Sequence, residues 1–305
     1  MSPDNLARPD IQASRDSIAL VVNPSAGKGR SQRLLPQVAG LFRDTGHRLD
    51  ILLSRHIDEA YAMATEAVTG GVDTLVVMGG DGMVHLGLNV VAAYPGVSNL
   101  GLIPAGTGND LCRGLGLDVK NPVACAQAIA VGSPRPIDVL EVNDVFVGGV
   151  VATGFDALVN RRANAMPRPK GSLRYAVAAL VEMGSFWPLP YRLVIDGEPR
   201  ELHAMLVAVG NTAYYGGGMQ ICPGANPADG VLDLTIVHAA SRAKLLRLLP
   251  QTFSGRFARD PLVERLQART VRVERPGLVG YGDGERLAAG PLDIAVRPGL
   301  LSVYG

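Results

Sequence analysis

The first third of the chain alternates between two hydrophobic periods. Runs rich in Val, Ile and Leu at Ile18 to Val22, Arg48 to Leu53, Asp73 to Met78 and Asn99 to Ile103 read as short buried strands. Between the first two, Leu34, Leu35, Val38, Leu41 and Phe42 recur at the spacing of an amphipathic helix. Such alternation predicts a parallel sheet with helices on both faces. Pro36 falls inside the first helical period and is expected near that helix's N-terminal turn, where a missing N–H costs least.

After about Ile137 the pattern changes to that of antiparallel strands. Val139 to Val142, Asn143-Asp144 and Val145 to Val150 predict one hairpin, and Tyr191 to Ile195, Asp196-Gly197 and Arg200 to Val209 predict another. Further extended runs lie at Val231 to Val237, Thr270 to Glu274 and Leu292 to Val296, with helical segments near Arg161 to Ala165 and Leu173 to Met183. The expected architecture is a flexible segment 1–16, an α/β domain 17–137 with a Rossmann-like parallel sheet, and a β-rich, antiparallel sandwich domain 138–305.

A chain of 305 residues, 47% hydrophobic and 19% charged, is long enough for two cores and too apolar for extended disorder. Its net charge of +1 gives no global basic field, so nucleic acid is not an expected partner. Cys112, Cys125 and Cys222 are odd in number and lack the spacing of a disulfide framework or zinc site, which fits a reducing cytoplasm. The charged N-terminal segment and the absence of a run of roughly 18 apolar residues predict neither export nor membrane spanning.

Candidate chemistry gathers in glycine loops after three successive predicted strands. These are Asn23-Pro24-Ser25-Ala26-Gly27-Lys28-Gly29, Gly79-Gly80-Asp81-Gly82 and Gly106-Thr107-Gly108-Asn109-Asp110. A parallel strand delivers its C-terminal end to a ligand crevice, and glycine lets backbone approach phosphate there. The common nucleotide motifs do not fit. Gly27-Lys28 is followed by Gly29 rather than Ser or Thr, and Val22 stands where a Walker loop needs its first Gly. Gln32 and Leu111 stand where a dinucleotide fingerprint needs its third Gly. Amides of Ser25 to Gly27 and of Gly80 to Gly82 are candidates to cradle phosphates, with the Thr107 hydroxyl and Lys28 charge beside them.

In order, these loops resemble the Asn-Pro-x-x-Gly, Gly-Gly-Asp-Gly and Gly-Thr-x-Asn-Asp motifs of the diacylglycerol kinase catalytic family. Asp229-Gly230-Val231-Leu232-Asp233 and Asp283-Gly284-Glu285 resemble its metal loop and catalytic acidic motif, so the resemblance spans residues 18 to 305. Within the family the chain looks like the soluble bacterial branch of lipid kinases. The resemblance implies ATP and Mg²⁺, an interdomain active-site cleft, and phosphorylation of diacylglycerol to phosphatidic acid. It implies a nucleotide site from Asn23, Pro24, Ser25, Ala26, Gly27, Lys28, Ser54, Gly79, Gly80, Asp81, Gly82, Met83, Thr107 and Asn109. It makes Glu285 the general base with Asp283 orienting it, places Asp81, Asp110 and Asp138 towards catalytic Mg²⁺ or its waters, and gives a structural Mg²⁺ to Asn226, Asp229 and Val231.

Simpler readings stand beside these. An Asp at a strand-to-loop junction also caps helices, Asp283-Gly284 also suits an ordinary hairpin, and Asp229-Gly230 also suits a turn that opens a strand. The chain departs from the family at Met83, where Thr is usual, and at His85-Leu86, where Asn-Glu is usual, which bears on nucleotide preference. Arg242 to Leu249 places cations and leucines at helical spacing, followed by Phe253, Arg256 and Phe257: either an interfacial helix or one covering the second sheet. Arg161, Arg162, Arg168, Lys170 and Arg174 form a second basic run, and Trp187, after Phe186 and near the apolar Ala176 to Leu180, is either a core aromatic or part of a lipid cleft. Peripheral contact with the inner membrane face and a homodimer are both compatible. Open alternatives are a kinase for a sphingoid base, monoacylglycerol or phosphatidylglycerol, an NAD kinase, or a non-catalytic nucleotide- or lipid-binding regulator.

Overall fold

The computed structural model describes residues 15–154, 187–287 and 289–305. The helical segments expected at 161–165 and 173–183, the basic run 161–174, Phe186 and residues 1–14 lie outside them. The chain opens with β1 (Arg15–Val22), α1 (Ala26–Asp44), β2 (His47–Leu53), α2 (Ile57–Thr69), β3 (Thr74–Gly79), α3 (Asp81–Ala93), β4 (Asn99–Pro104), α4 (Asp110–Gly114) and α5 (Pro122–Val131). β1 pairs in parallel with β2 on one side and β3 on the other, and β3 pairs in parallel with β4. Strand order therefore reverses between β1 and β3, which makes the carboxyl ends of these two strands a topological switch point.

Alternate residues of β1 feed two cores. Ala19 and Val21 pack with Ala60, Ala64 and Val68 of α2 and with the apolar side of α3, whereas Ile18, Leu20 and Val22 pack with Val38 and Phe42 of α1 and with α5. That is the helix-on-both-faces arrangement expected of the α/β part. Pro36 lies farther into α1 than its N-terminal turn, since residues 27–29 have left-handed φ and the regular helix begins after them. Both Pro36 and Gln32, whose carbonyl the proline leaves without an amide, are exposed, so water can take the unpaired oxygen.

The chain continues as β5 (Arg135–Val142), β6 (Val145–Val147), β7 (Val150–Gly154), β8 (Leu189–Ile195), β9 (Glu198–Gly210), β10 (Tyr214–Tyr215), β11 (Met219–Gln220) and β12 (Leu232–His238). Then come α6 (Arg242–Thr252), a 3₁₀ turn (Arg256–Arg259), β13 (Val263–Ala268), β14 (Thr270–Glu274), β15 (Gly280–Gly282), β16 (Glu285–Arg286) and β17 (Leu292–Tyr304). Both predicted hairpins form. In the β8–β9 turn Asp196 and Gly197 have φ of 47° and 91°, the double left-handed conformation that matches strand twist in two-residue turns. The first hairpin is shorter than predicted, because Gly148-Gly149 separates β6 from β7.

β17 extends beyond the predicted Leu292 to Val296. Its first half pairs antiparallel with β14 and β5; after a shift of register between Arg297 and Leu301, Val303 and Tyr304 pair in parallel with β4. One strand thus joins the parallel and antiparallel parts of the sheet.

Candidate active site

Three loops meet at the carboxyl ends of β1, β3 and β4. After β1, Asn23 Oδ1 accepts from the Ser25 N–H at 3.0 Å and the Ser25 hydroxyl at 2.7 Å, while the Asn23 carbonyl accepts from the Ala26 N–H at 3.1 Å. Two of the amides expected to cradle phosphate, those of Ser25 and Ala26, are therefore committed within the loop. Gly27 has φ 57°, and a Cβ there would fall 2.0 Å from the Ala105 carbonyl oxygen, so this loop lies directly against the chain leaving β4. Lys28 is exposed at φ 60°, and Ser54, at the end of β2, is buried with its amide bonded to the Val22 carbonyl at 3.2 Å.

The loops after β3 and β4 are in contact. A Cβ on Gly106 would lie 2.3 Å from Gly80 Cα. Gly80 opens α3 without any side-chain cap, so the first-turn amides of that helix, at the switch point, form an anion-seeking end. Asp81 reaches across: Oδ2 accepts from the Asn109 N–H at 3.0 Å and Oδ1 from the Asp110 N–H at 2.9 Å. Its carboxylate thus braces the start of α4, while the exposed Thr107 is left at the loop's surface. Met83 does not reach that surface. It is buried, as is Leu86, in the core under α3, so the chain's departures from the family pattern at these positions are core substitutions.

The β-rich part supplies the rest. Asp283 and Gly284, at φ 51° and 87°, form a two-residue turn between β15 and β16. The Asp283 carboxylate accepts from the Gly148 N–H and the Gly149 N–H, both at 2.8 Å, which fastens the turn to the break between β6 and β7. Glu285 follows, exposed, with Oε1 3.6 Å from where a Cβ of Gly82 would stand. The acidic turn is therefore both an ordinary hairpin and a device that holds a carboxylate over the start of α3.

The four carboxylates have unlike surroundings. Burial pushes Asp81 above the usual carboxylate range, against the lowering by its amide bonds, and the charge of Asp283 adds to the rise. Burial, then the Asp81 charge, pushes Asp110 up to about 6. Asp110 Oδ2 accepts from the Gly217 N–H at 2.7 Å, the Gly218 N–H also favours the charged carboxylate, and the buried Oδ1 makes no hydrogen bond among the described residues but has Arg113 Nε 4.0 Å away. His85 Nδ1 sits 3.7 Å from Asp283 Oδ2; burial disfavours its charged form, yet Asp283 and Glu285 outweigh this and raise its pKa.

Asp138 is placed elsewhere than expected. Its oxygens accept from the Gly230 and Gly299 N–H groups at 2.7 and 2.8 Å, and its own N–H donates to the Pro227 carbonyl at 2.7 Å, so it clamps the 226–231 loop instead of facing a catalytic cation. Within that loop Asp229 Oδ1 accepts from the Val231 N–H at 3.2 Å. Among the described residues no three His, Cys, Asp or Glu side chains cluster as a metal site.

Comparison with known proteins identifies the family. A profile described as the diacylglycerol kinase catalytic domain matches residues 17–142, and one described as the YegS C-terminal NAD kinase beta sandwich-like domain matches residues 149–305. A protein named diacylglycerol kinase from Mycobacterium tuberculosis strain H37Rv is 38% identical, covering 99% of this chain and 98% of its own. The chain belongs to the diacylglycerol kinase catalytic family. A diacylglycerol kinase from Bacillus subtilis strain 168 is 26% identical over 83% of this chain and 84% of its own. The crystal structure of a diacylglycerol kinase from Bacillus anthracis shares the fold, with a TM-score of 0.76 at 23% identity, covering 95% of this chain and 96% of that one.

This protein is therefore a kinase of the diacylglycerol kinase and YegS type, for which ATP is the expected phosphoryl donor. Within the family frame several positioning groups escaped sequence reasoning: Gly148 and Gly149 under Asp283, Gly217 on Asp110, His85 beside Asp283, and Asn211, whose side-chain amide donates to the Asp138 and Gly148 carbonyls at 2.7 and 2.9 Å. The run Tyr214-Tyr215-Gly216-Gly217-Gly218 is the signal that marked one of them.

Proposed function

We propose that this kinase transfers the γ-phosphoryl group of ATP to the free hydroxyl of diacylglycerol, giving phosphatidic acid, with Glu285 as general base. The observation that carries the reading is Glu285 Oε1 standing over Gly82, at the uncapped start of α3 where the glycine loops meet. A phosphate on those amides puts its terminal phosphorus beneath the carboxylate. The acceptor hydroxyl enters between them: its oxygen bonds to phosphorus, the bond from phosphorus to the bridging oxygen of ADP breaks, and the hydroxyl proton passes to Glu285 Oε1. Asp283 holds the base through Gly148 and Gly149. Lys28, Ser54, Thr107 and Asn109 belong to the nucleotide half of this reading, residues 17–137, and the base to the lipid half, residues 138–305.

Mg²⁺ fits the donor set at Asp110. The buried Asp110 Oδ1 makes no hydrogen bond among the described residues and has only the distant Arg113 guanidinium, 4.0 Å away, as counter-charge, so a hard cation could share it, whereas both Asp81 oxygens are taken by amides. Asp110 would hold the ion with Asp81 bracing its loop, and the ion would neutralise charge on the phosphates. A structural Mg²⁺ at Asn226, Asp229 and Val231 has weaker support, since Asp229 and Asp138 close that loop by themselves. No described helix is long and apolar enough to cross a membrane, and we read the enzyme as acting peripherally at the cytoplasmic face. All four carboxylates come from one chain, so the chemistry needs no dimer.

An ATP-consumption screen across diacylglycerol, monoacylglycerol, sphingosine, phosphatidylglycerol and NAD tests the acceptor. Turnover with diacylglycerol that Glu285→Gln abolishes, with ATP affinity retained, is the expected result; turnover with NAD alone, or with nothing, overturns it.

A further inference from the structure

We infer that the outward face of α6 is a docking surface for an anionic lipid bilayer, with Trp187, Leu246 and Phe253 entering the interface while Arg242 and Arg247 meet headgroup phosphates. The inference rests on the lipid-kinase reading only for its purpose. The surface itself stands on three observations.

First, α6 is already anchored without these side chains. Leu248 is buried in the cluster with Phe257, Val237 and Val263, and Leu245 and Leu249 pack against it. Leu246 and Phe253 nonetheless remain 45% and 46% exposed, and Trp187 70%. Four and eleven residues beyond Arg242, Leu246 and Phe253 fall on one helical stripe. Trp187 joins that stripe, its ring centroid 5.5 Å from the Arg242 guanidinium carbon. Three of the four leucines of this helix, Leu245, Leu248 and Leu249, cover the sheet, and Leu246 alone faces out.

Second, the charge is one-sided. From Ser241 to Asp260 there are five cations, Arg242, Lys244, Arg247, Arg256 and Arg259, against the single acid Asp260, which Lys244 pairs at 2.5 Å. With the whole chain at only +1, this is a concentrated positive patch. Such a face repels a second copy of itself and attracts an anionic one. A nucleic acid would satisfy the arginines but leave Leu246 and Phe253 in water; a bilayer interface takes both.

Third, the patch is packed next to the site. The cluster under α6 includes Tyr215 and Met219, which flank the glycine loop whose Gly217 amide binds Asp110. Docking through α6 would present that end of the molecule to lipid.

The test uses the full chain and large unilamellar vesicles of phosphatidylcholine alone or mixed in equal parts with phosphatidylglycerol, without diacylglycerol. Trp187 is the only tryptophan, so its emission reports directly on insertion, alongside co-sedimentation. Binding to the mixed vesicles, with a blue shift and loss of binding at high salt, is expected. Arg242→Glu with Arg247→Glu should weaken it at least about tenfold, and Leu246→Ser with Phe253→Ser about tenfold, with unfolding midpoints near wild type. Failure to bind, equal binding to phosphatidylcholine alone, or a self-association that the Ser variants abolish while vesicle binding persists would each overturn the surface. Loss of vesicle binding alongside phosphorylation of diacylglycerol in detergent micelles rejects the surface and keeps the kinase reading; binding without activity on any lipid does the reverse.

Discussion

Asp283→Asn probes the anchor beneath the proposed base while leaving the backbone alone, because φ 51° in a two-residue turn suits Asn as well as Asp. In the wild type each carboxylate oxygen accepts one backbone N–H at 2.8 Å. Asn keeps one acceptor and turns an NH₂ group towards the other amide. One hydrogen bond to a charged group, about 1.5–3 kcal/mol, is lost, and two donors then face each other. The ion pair with the mostly buried His85, at 3.7 Å, is weakened too, and measuring at pH 9, where His85 is neutral, removes its contribution. A destabilisation of about 2–3 kcal/mol by urea titration is expected.

The kinetic effect should be larger than the thermodynamic one. A turn freed from Gly148 and Gly149 lets Glu285 drift, and a misplacement of about 1 Å costs roughly a hundredfold in kcat. ATP affinity by calorimetry should stay within about twofold, since Asp283 reaches no atom of the nucleotide loops in this reading. The double variant decides the matter. If Asp283 acts only through Glu285, then on a Glu285→Gln background Asp283→Asn removes nothing further from the residual rate. A second loss of the same size would show that Asp283 does chemistry of its own and would refute the anchoring account.

Gly149→Ala places a Cβ 2.6 Å from Asp283 Oδ1 and should reproduce the Asp283→Asn phenotype, kcat falling with ATP affinity intact; steady-state kinetics with calorimetry checks this. Gly27→Ala, at φ 57° and 2.0 Å from the Ala105 carbonyl, should weaken ATP binding at least about tenfold by distorting the loop after β1, and unchanged affinity would remove that loop from the site. Asp110 is pushed up to about 6 from 3.8, so the stability owed to its protonated form is present at pH 4 and lost as pH rises through 6. Asp110→Asn in metal-free buffer should therefore match wild type near pH 4 and exceed it by up to about 3 kcal/mol at pH 7.5, while losing activity; a pH-independent gap in urea titrations contradicts this. His85 is raised, so its pairing with Asp283 holds below about 6.5 and fades as pH climbs past its folded pKa. His85→Gln should accordingly cost most stability at pH 6 and least at pH 9, and the reverse trend would rule the pairing out.

What could be read from sequence was what local periodicity encodes. Strands such as Thr74–Gly79 are buried along their whole length, so their continuous apolar runs stood out, and the glycine loops followed them directly. The two predicted hairpins carried their turn chemistry in Asn143-Asp144 and Asp196-Gly197. Contacts remote in sequence had no such signal. Asp283 finds Gly148 from 135 residues away, and nothing local to either residue announces the pairing. The same holds for Asp138, whose position at a strand resembled a cleft carboxylate until Gly299, 161 residues on, claimed one of its oxygens. Met83 misled for another reason. Motif reasoning treats each position as facing the ligand, whereas the third residue of α3 points into the core.

In the proposed mechanism the surroundings of the four carboxylates favour a single one for proton transfer. Asp81 has both oxygens held by the amides of residues 109 and 110, so it can neither swing nor take a proton without loosening α4. Asp283 is held in the same way by Gly148 and Gly149. Asp110 keeps one oxygen without a hydrogen bond among the described residues, but that oxygen is buried and faces Arg113, which suits a cation better than an exchanging proton. Glu285 alone is exposed, on a short strand whose position is set by a neighbour's carboxylate instead of its own. On the proposed reading the site separates holding from reacting: three acids fix backbone or charge, which leaves the fourth oriented at its base and free at its tip, the condition that general-base transfer to a lipid hydroxyl requires.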